Sequence, residues 1–161
     1  MLEERGDLFK QACDAICLTT NGDVNRAGEA VMGRGVAAAA KRAWPGIEHW
    51  LGTRIAQEGN HVTLLTWGPP GKRLLFLPHL NKSLTVPFHI FSFPVKHRWN
   101  QFADRDLIVR SAKELVTQVD SMKLMHVYLV RPGCGNGGLA WASVKPLIAP
   151  LLDDRFVVVE R

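Results

Sequence analysis

Arg131-Pro132-Gly133-Cys134-Gly135-Asn136-Gly137-Gly138 joins an apolar, strand-like run, Leu124 to Val130, to a helix-like one, Trp141 to Leu152. Four of the six residues from Gly133 to Gly138 are glycine. Glycine has no Cβ and tolerates positive φ, so backbone N–H groups in such a loop can approach a ligand closely. Ahead of a helix N-terminus, those donors favour an anion, most often a phosphate.

Outward from this loop, helical and strand-like stretches alternate. Asp14 to Thr19, Val62 to Trp67, Arg73 to Leu77, Phe88 to Val95, Leu124 to Val130 and Phe156 to Val159 read as strands. Gly68-Pro69-Pro70-Gly71 reads as a turn, with Val62 to Trp67 and Arg73 to Leu77 as possible arms of a hairpin. Pro94 points to the end of its strand or to a sheet edge. Alanine-rich Gly35 to Trp44 reads as a helix closed by Pro45-Gly46, and Ile47 to Glu58 as a second. From Asp104 to Asp120 the spacing is helical, with Ile108, Ala112, Leu115, Val116 and Val119 on one face and Asp104 as cap. The alternation implies an α/β fold, a mixed or mostly parallel sheet covered on both faces. Ligands of such sheets bind beyond the carboxyl ends of the strands. Three polar motifs fall there: Thr20-Asn21, Lys96-His97-Arg98 and the Gly133 loop.

The 161 residues, 47% hydrophobic and 22% charged, suit one globular domain with one sizeable core. No apolar run reaches bilayer-spanning length, so no membrane partner is expected. Met1-Leu2-Glu3-Glu4-Arg5 lacks the apolar core of a signal peptide, and the expected location is the cytoplasm. Cys13, Cys17 and Cys134 are then expected as reduced thiols. Neither a CxxC pair nor a spaced histidine pair is present, so no metal or other cofactor is expected. A net charge of +5 suits a nucleic acid or a phosphorylated small molecule.

Gly33-Arg34-Gly35 precedes the small residues Val36 and Ala37 to Ala40, which let a diphosphate lie against a helix start. Alone it is equally a plain turn; with the Gly133 loop it points to a pyrophosphate held between two donor-rich loops. Neither loop carries a P-loop or a dinucleotide-binding glycine signature. Asn21 offers a donor and an acceptor together, suited to a ribose hydroxyl, and it is equally a turn residue in Asn21-Gly22-Asp23. Asp7 is either an acceptor for an adenine amino group or an exposed loop acid. Lys96 is either a solvated strand end or a nucleophilic or electrophilic lysine. A nucleophile would need help from apolar neighbours such as Val95 and Phe93 or from Arg98, since an ordinary lysine is less than about 0.1% neutral at pH 7. Trp99, Trp141 and Phe91 are each a core residue or a stacking surface for a base. His97, Arg98, Arg105, Arg110 and Lys113 form either a basic face for a DNA backbone or a solvated rim.

In this order the motifs resemble those of a macrodomain, the ADP-ribose-binding fold. Gly6-Asp7-Leu8-Phe9 is similar to the family's opening motif. Asp14-Ala15-Ile16-Cys17-Leu18-Thr19-Thr20-Asn21 is similar to its DAIVNAAN strand, and Met32-Gly33-Arg34-Gly35-Val36-Ala37 to its MGxGxA loop. Ser92-Phe93-Pro94-Val95-Lys96-His97-Arg98-Trp99 resembles NFPTKxxW, and Gly133-Cys134-Gly135-Asn136-Gly137-Gly138-Leu139-Ala140-Trp141 resembles GCGxGGLxW. Those last two mark the branch of terminal ADP-ribose glycohydrolases and DNA ADP-ribosyl glycohydrolase antitoxins.

The resemblance implies a three-layer α/β/α macrodomain with a mixed central sheet over residues 1–161. It implies that Asp7 contacts adenine and Asn21 the distal ribose. Gly33, Arg34, Gly35 and Val36, with Gly133, Cys134, Gly135, Asn136, Gly137 and Gly138, would hold the diphosphate. Lys96 would be catalytic at the anomeric carbon of the distal ribose. Where enzymes acting on glutamyl esters carry an aspartate, this chain has Gly137, which favours ADP-ribosylated DNA as partner and substrate. Leu18, Ser92 and Val95 depart from the family pattern, and Gly22 to Val31 is an insertion in which Asn25 and Arg26 are suited to another nucleotide group. The implied activity is release of ADP-ribose from ADP-ribosylated DNA. A non-catalytic binder of ADP-ribose or a related signalling nucleotide, and an ADP-ribose 1″-phosphate phosphatase, are the alternatives.

Overall fold

The apolar strand runs are buried on both faces because helices cover both. The computed structural model describes residues 1–65 and 89–160. In chain order the strands are β1 (Leu2–Arg5), β2 (Ala15–Asn21), β3 (Thr63–Leu64), β4 (His89–Lys96), β5 (Val127–Val130) and β6 (Phe156–Glu160). The helices are α1 (Gly35–Ala43), α2 (Ile47–Glu58), α3 (Arg105–Met122) and α4 (Trp141–Ile148), with a 3-10 turn at Leu8–Lys10. The described strands form one sheet in the order β1-β6-β5-β2-β4-β3, with only the β3–β4 pairing antiparallel. The sheet is therefore mixed, as expected.

Two apolar layers sandwich the sheet, because successive strand residues point to opposite faces. Ala15, Cys17, Phe91, Phe93, Val127, Leu129, Phe156 and Val158 pack against α3 and α4. Ile16, Leu18, Ile90 and Val159 pack against α1 and α2. In α3, Ile108, Ala112, Leu115 and Val119 are wholly buried at helical spacing. Asp104 caps this helix, accepting from the N–H groups of Asp106 and Leu107. Truncating one such side chain, Leu115→Ala for example, typically costs about 2–5 kcal/mol.

Several element boundaries differ from the expectation. The strand expected from Leu124 starts at Val127, because Asp14 Oδ2 takes the N–H groups of Met125 and His126 outside the ladder. The helix expected to reach Leu152 ends at Ile148 and continues as turns. β4 is not an edge strand. It lies between β2 and β3, and β3 begins at Thr63 opposite Ser92, so Pro94 has no ladder partner on that side among the described residues. The turn at Gly68-Pro69-Pro70-Gly71, the strand at Arg73 to Leu77 and the end of the Val62 to Trp67 run lie outside the described residues. No helix among the described residues is long and apolar enough to cross a membrane.

The insertion has a structural role. Asn25 closes its tip by accepting from Ala27 and Glu29, and Val24 bridges Ala30. The Ala30 N–H donates to Glu48 O on α2. Gly52 makes this packing possible, since a Cβ there would overlap the Gly28 carbonyl oxygen and lie 2.8 Å from Ala30 N. Burial alone would raise the pKa of Glu48. Hydrogen bonds from its own backbone, Lys41 and Gly46 outweigh that and hold the carboxyl below its ordinary range.

Candidate functional site

Parallel strands β2, β4, β5 and β6 all end at the same side of the sheet, and a cleft of about 1210 Å³ opens there. Thr20 and Asn21 reach it from β2, Lys96 from β4, Arg131 from just after β5 and Glu160 from β6. The loops ahead of α1 and α4 form facing walls. They approach closely enough that a Cβ on Gly35 would sit 3.1 Å from Asn136 Nδ2. Of the expected site residues, Asp7, Asn21, Gly33, Arg34, Gly35, Val36, Lys96, Gly133, Cys134, Gly135, Asn136 and Gly137 line this one cleft.

Both walls carry unspent donors. The cap position of α1 is Arg34, whose side chain makes no cap bond, so the N–H groups of the first turn face the cleft without a side-chain partner. In the second wall, Cys134 N–H donates to Arg131 O, Gly138 N–H to Gly135 O and Leu139 N–H to Gly133 O. Among the described residues no partner takes the N–H groups of Gly135, Asn136 or Gly137. A Cβ on Gly33 or on Gly135 would meet no atom within 4 Å, so both glycines front open space. Gly133 and Gly137 differ from these. A Cβ on Gly133, at φ +73°, would lie 2.9 Å from Ala103 and Ile108. One on Gly137 would overlap the Gly133 carbonyl oxygen.

Lys96 emerges where the β2–β4 register shifts: Thr20 pairs with Pro94 but Asn21 with Lys96, leaving Val95 as the extra residue. Such a bulge re-aims the side chain that follows it. Nζ donates to Asn136 O at 2.6 Å, so the lysine reaches the second glycine loop. The Lys96 carbonyl accepts from Asn60 Nδ2 at 2.9 Å, and Arg110 donates to Asn60 O. Val95 and Phe93 are buried. Arg98 turns away and lies 3.5 Å from Asp23. His97 bonds Asp104 at 2.9 Å, and this bond, aided by the helix N–H groups and opposed by burial, holds the Asp104 carboxyl below its ordinary range.

Asn21 is the turn residue that one of its two readings gives, and it also borders the cleft. Its Oδ1 accepts from Asp23 N–H at 3.0 Å, the turn, and its Nδ2 donates to Val31 O at 2.8 Å, while the side chain still lines the cleft. Asp7 caps the 3-10 turn through Oδ1 and Phe9 N–H at 3.0 Å, leaving Oδ2 without a partner among the described residues. Burial, opposed by Arg131, pushes the Cys134 thiol up, which disfavours its thiolate form.

Some expectations need correction. Gly138 does not line the cleft; at φ +75° it lies under Phe102, whose ring a Cβ would meet at 2.7 Å. Asn25 and Arg26 are outside the cleft, on the insertion packed against α2. Phe91 is wholly core. Trp141 donates to Glu3 and lies under the Arg131 guanidinium, 5.4 Å from it. In the expected basic face, Arg110 pairs with Glu114 at 3.3 Å, so that set is partly neutralised. Leu18 and Ser92 depart from the family pattern without lining the cleft. Leu18 is core, and Ser92 Oγ ties β4 to His61 and Thr63.

Thr20 was legible only as part of the Thr20-Asn21 strand end, and Glu160 and Phe102, which also line the cleft, were not singled out by the sequence. Thr20 is 5% exposed, and its Oγ1 is buried without a hydrogen-bond partner among the described residues. Its place beside Asn21 was the available signal. Glu160 engages Arg131 through two bonds of 2.6 and 2.9 Å, a pairing that no local spacing announces.

No family model matches the chain. It is 30% identical over 149 residues to a DNA ADP-ribosyl glycohydrolase of Thermus aquaticus, which covers 92% of this chain and 37% of that protein. A DNA ADP-ribosyl glycohydrolase of Mycobacterium tuberculosis is 30% identical over 140 residues, 87% of this chain and 35% of that protein. The chain thus spans about a third of the length of these curated relatives. In structure it resembles the macrodomain of Thermus aquaticus DarG, with TM-score 0.73 and 26% identity, covering 99% of this chain and 97% of that one. It also resembles Thermosipho africanus DarTG in complex with ADP-ribose, with TM-score 0.76 and 20% identity, covering 96% and 39%. The sheet order, the two glycine loops about one cleft and these likenesses put the chain in the macrodomain family, with DarG macrodomains as the relatives it resembles in both sequence and fold.

Proposed function

We propose that this macrodomain binds ADP-ribose in the cleft and hydrolyses the glycosidic link of ADP-ribosylated DNA, releasing ADP-ribose. One observation carries the reading. Lys96 Nζ lies 2.6 Å from the backbone of a donor-rich glycine loop in the cleft. Of the two cleft carboxylates, Glu160 holds Arg131, and Asp7 caps a turn through Oδ1 alone, with Oδ2 open. The names of the relatives support the same chemistry, and the ADP-ribose complex of Thermosipho DarTG supports the ligand.

In this reading the first-turn N–H groups of α1 and those of Gly135 to Gly137 hold the diphosphate. Asp7 Oδ2 accepts from the adenine amino group, and Asn21 and Thr20 face the distal ribose. Water adds to the anomeric carbon as the bond to the base breaks, the added water gives up a proton to solvent and the departing base takes one up, and Lys96 donates a hydrogen bond to the group on which negative charge develops. Residues 1–161 act as one domain, in the cytoplasm. Exposed Arg105 and Lys113 are the remaining candidates for DNA backbone contact.

The test has two arms. ADP-ribose at 100-fold its Kd adds about 2.7 kcal/mol, a rise in Tm of roughly 5–10 °C for a chain this size. No shift overturns the reading. A shift without release of ADP-ribose from ADP-ribosylated DNA leaves a non-catalytic binder, and phosphate release from ADP-ribose 1″-phosphate marks a phosphatase.

Gly135→Val separates ligand space from folding. The new side chain enters the open cleft rather than protein. The expected result is a Tm within about 2 °C of the parent, about 0.5 kcal/mol or less, by differential scanning fluorimetry. ADP-ribose affinity should fall at least about tenfold by calorimetry, because the branched carbons occupy the diphosphate path. Unchanged affinity would show that the diphosphate runs elsewhere.

A further inference from the structure

Two aromatic rings stand in water beside the cleft. Trp99 is 56% exposed and Phe102 81% exposed, and both line the cleft mouth on the segment that follows Lys96. Other large apolar side chains are exposed as well, but these two lie three residues apart on one segment at the cleft edge. The segment is held rather than loose. Trp99 N–H donates to Asp23 Oδ2 at 2.8 Å, Arg98 N–H to Gln101 Oε1 at 3.1 Å and Gln101 N–H to Arg98 O at 3.2 Å. His97 is tied to Asp104 at one end, and Ala103 N–H donates to Gly137 O at the other. The Phe102 ring lies over Gly138, where any side chain would displace it, so the glycine loop is the platform's backing. Positive side chains flank it. Arg34 on the opposite wall and Arg105 at the start of α3 are exposed and make no ion pair among the described residues.

We propose that Trp99 and Phe102 form a stacking platform for unpaired bases of a nucleic-acid strand that continues past the nucleotide held in the cleft. The proposal rests on the ADP-ribosylated nucleic-acid reading and adds a surface to it. Every base has an apolar face, so the platform accepts single strands with little regard to sequence. A duplex hides those faces in its own stack. The arginines supply the charge that a phosphate backbone requires, and the rings supply the preference for unpaired over paired strands. The surface fits a nucleic acid better than a protein partner because the two exposed rings and the exposed Arg34 border a cleft already lined with anion donors.

The test uses a short, unmodified, fluorescein-labelled single strand and the same sequence as a duplex, followed by anisotropy at low salt. The parent protein should bind the single strand more tightly. Trp99→Ala and Phe102→Ala should each weaken it by about fivefold or more, the double variant further still. Trp99→Phe should retain most of the affinity. The salt dependence should not change, since the rings release no counterions. Saturating ADP-ribose should leave the strand bound, because the platform lies outside the diphosphate walls. Equal binding of duplex and single strand, no binding of either, an unaffected double variant, or a Trp99→Phe loss as large as Trp99→Ala would each overturn the proposal. The ADP-ribose thermal shift reports on the cleft separately, so failure there and failure here are distinguishable.

Discussion

Lys96→Ala should lower kcat for release of ADP-ribose from ADP-ribosylated DNA by about 10²–10⁴-fold, the usual cost of removing a positioned proton donor or charge stabiliser. KM should move little, because the diphosphate donors belong to the two loops. Tm should stay within a few degrees, since Lys96 is at the surface of the cleft rather than in either core. The Asn136 carbonyl loses one hydrogen bond and can turn to water. Lys96→Arg keeps the charge but replaces a compact ammonium by a planar fork, so it should recover little turnover. Single-turnover release of ADP-ribose measures both variants. Full activity in Lys96→Ala would remove the lysine from the mechanism. Comparable losses in kcat and in ADP-ribose affinity would recast it as a binding residue.

Gly137→Asp should destabilise the protein by about 3 kcal/mol or more, roughly 6–12 °C in Tm, and abolish ADP-ribose binding. At this position related enzymes that act on glutamyl esters are expected to carry an aspartate, so the substitution looks like a change of specificity. The backbone here forbids it. A Cβ would overlap the Gly133 carbonyl oxygen and lie 2.7 Å from its Cα and carbonyl carbon. Main-chain atoms cannot yield as a flexible side chain would, so the loop must refold. That loop also accepts Ala103 N–H at Gly137 O and lies under Phe102, so the disturbance reaches the start of α3. Thermal unfolding and calorimetry measure the effect. A stable Gly137→Asp variant that gains turnover on a glutamyl ester would show that specificity at this position is set by one side chain and not by the loop's path.

Much of the candidate site was legible because its residues belong to contiguous motifs. Gly33 to Val36 and Gly133 to Gly137 do border one cleft, and Lys96 does stand between the strand ends and the second loop. What was not legible was contact across the sequence. Asn60 holds the Lys96 carbonyl from 36 positions away, and Asp23 holds Trp99 from 76. Neither residue has a neighbourhood that marks it. The insertion shows the opposite failure. Asn25 and Arg26 have side chains suited to a nucleotide, yet their segment packs on α2, where Gly52 leaves room for it, and lies outside the cleft.

The sequence by itself determined the alternation of elements, the two apolar faces of the sheet and the glycine spacing of both loops. These follow from local periodicity and from the absence of side chains, which no distant residue alters. The tertiary structure alone decided which glycines serve the ligand and which serve the chain. Gly33 and Gly135 face open space, Gly133 and Gly137 face packed atoms, and Gly138 seats a ring. All five are the same letter in the sequence, and only what lies within 4 Å of each missing Cβ distinguishes them.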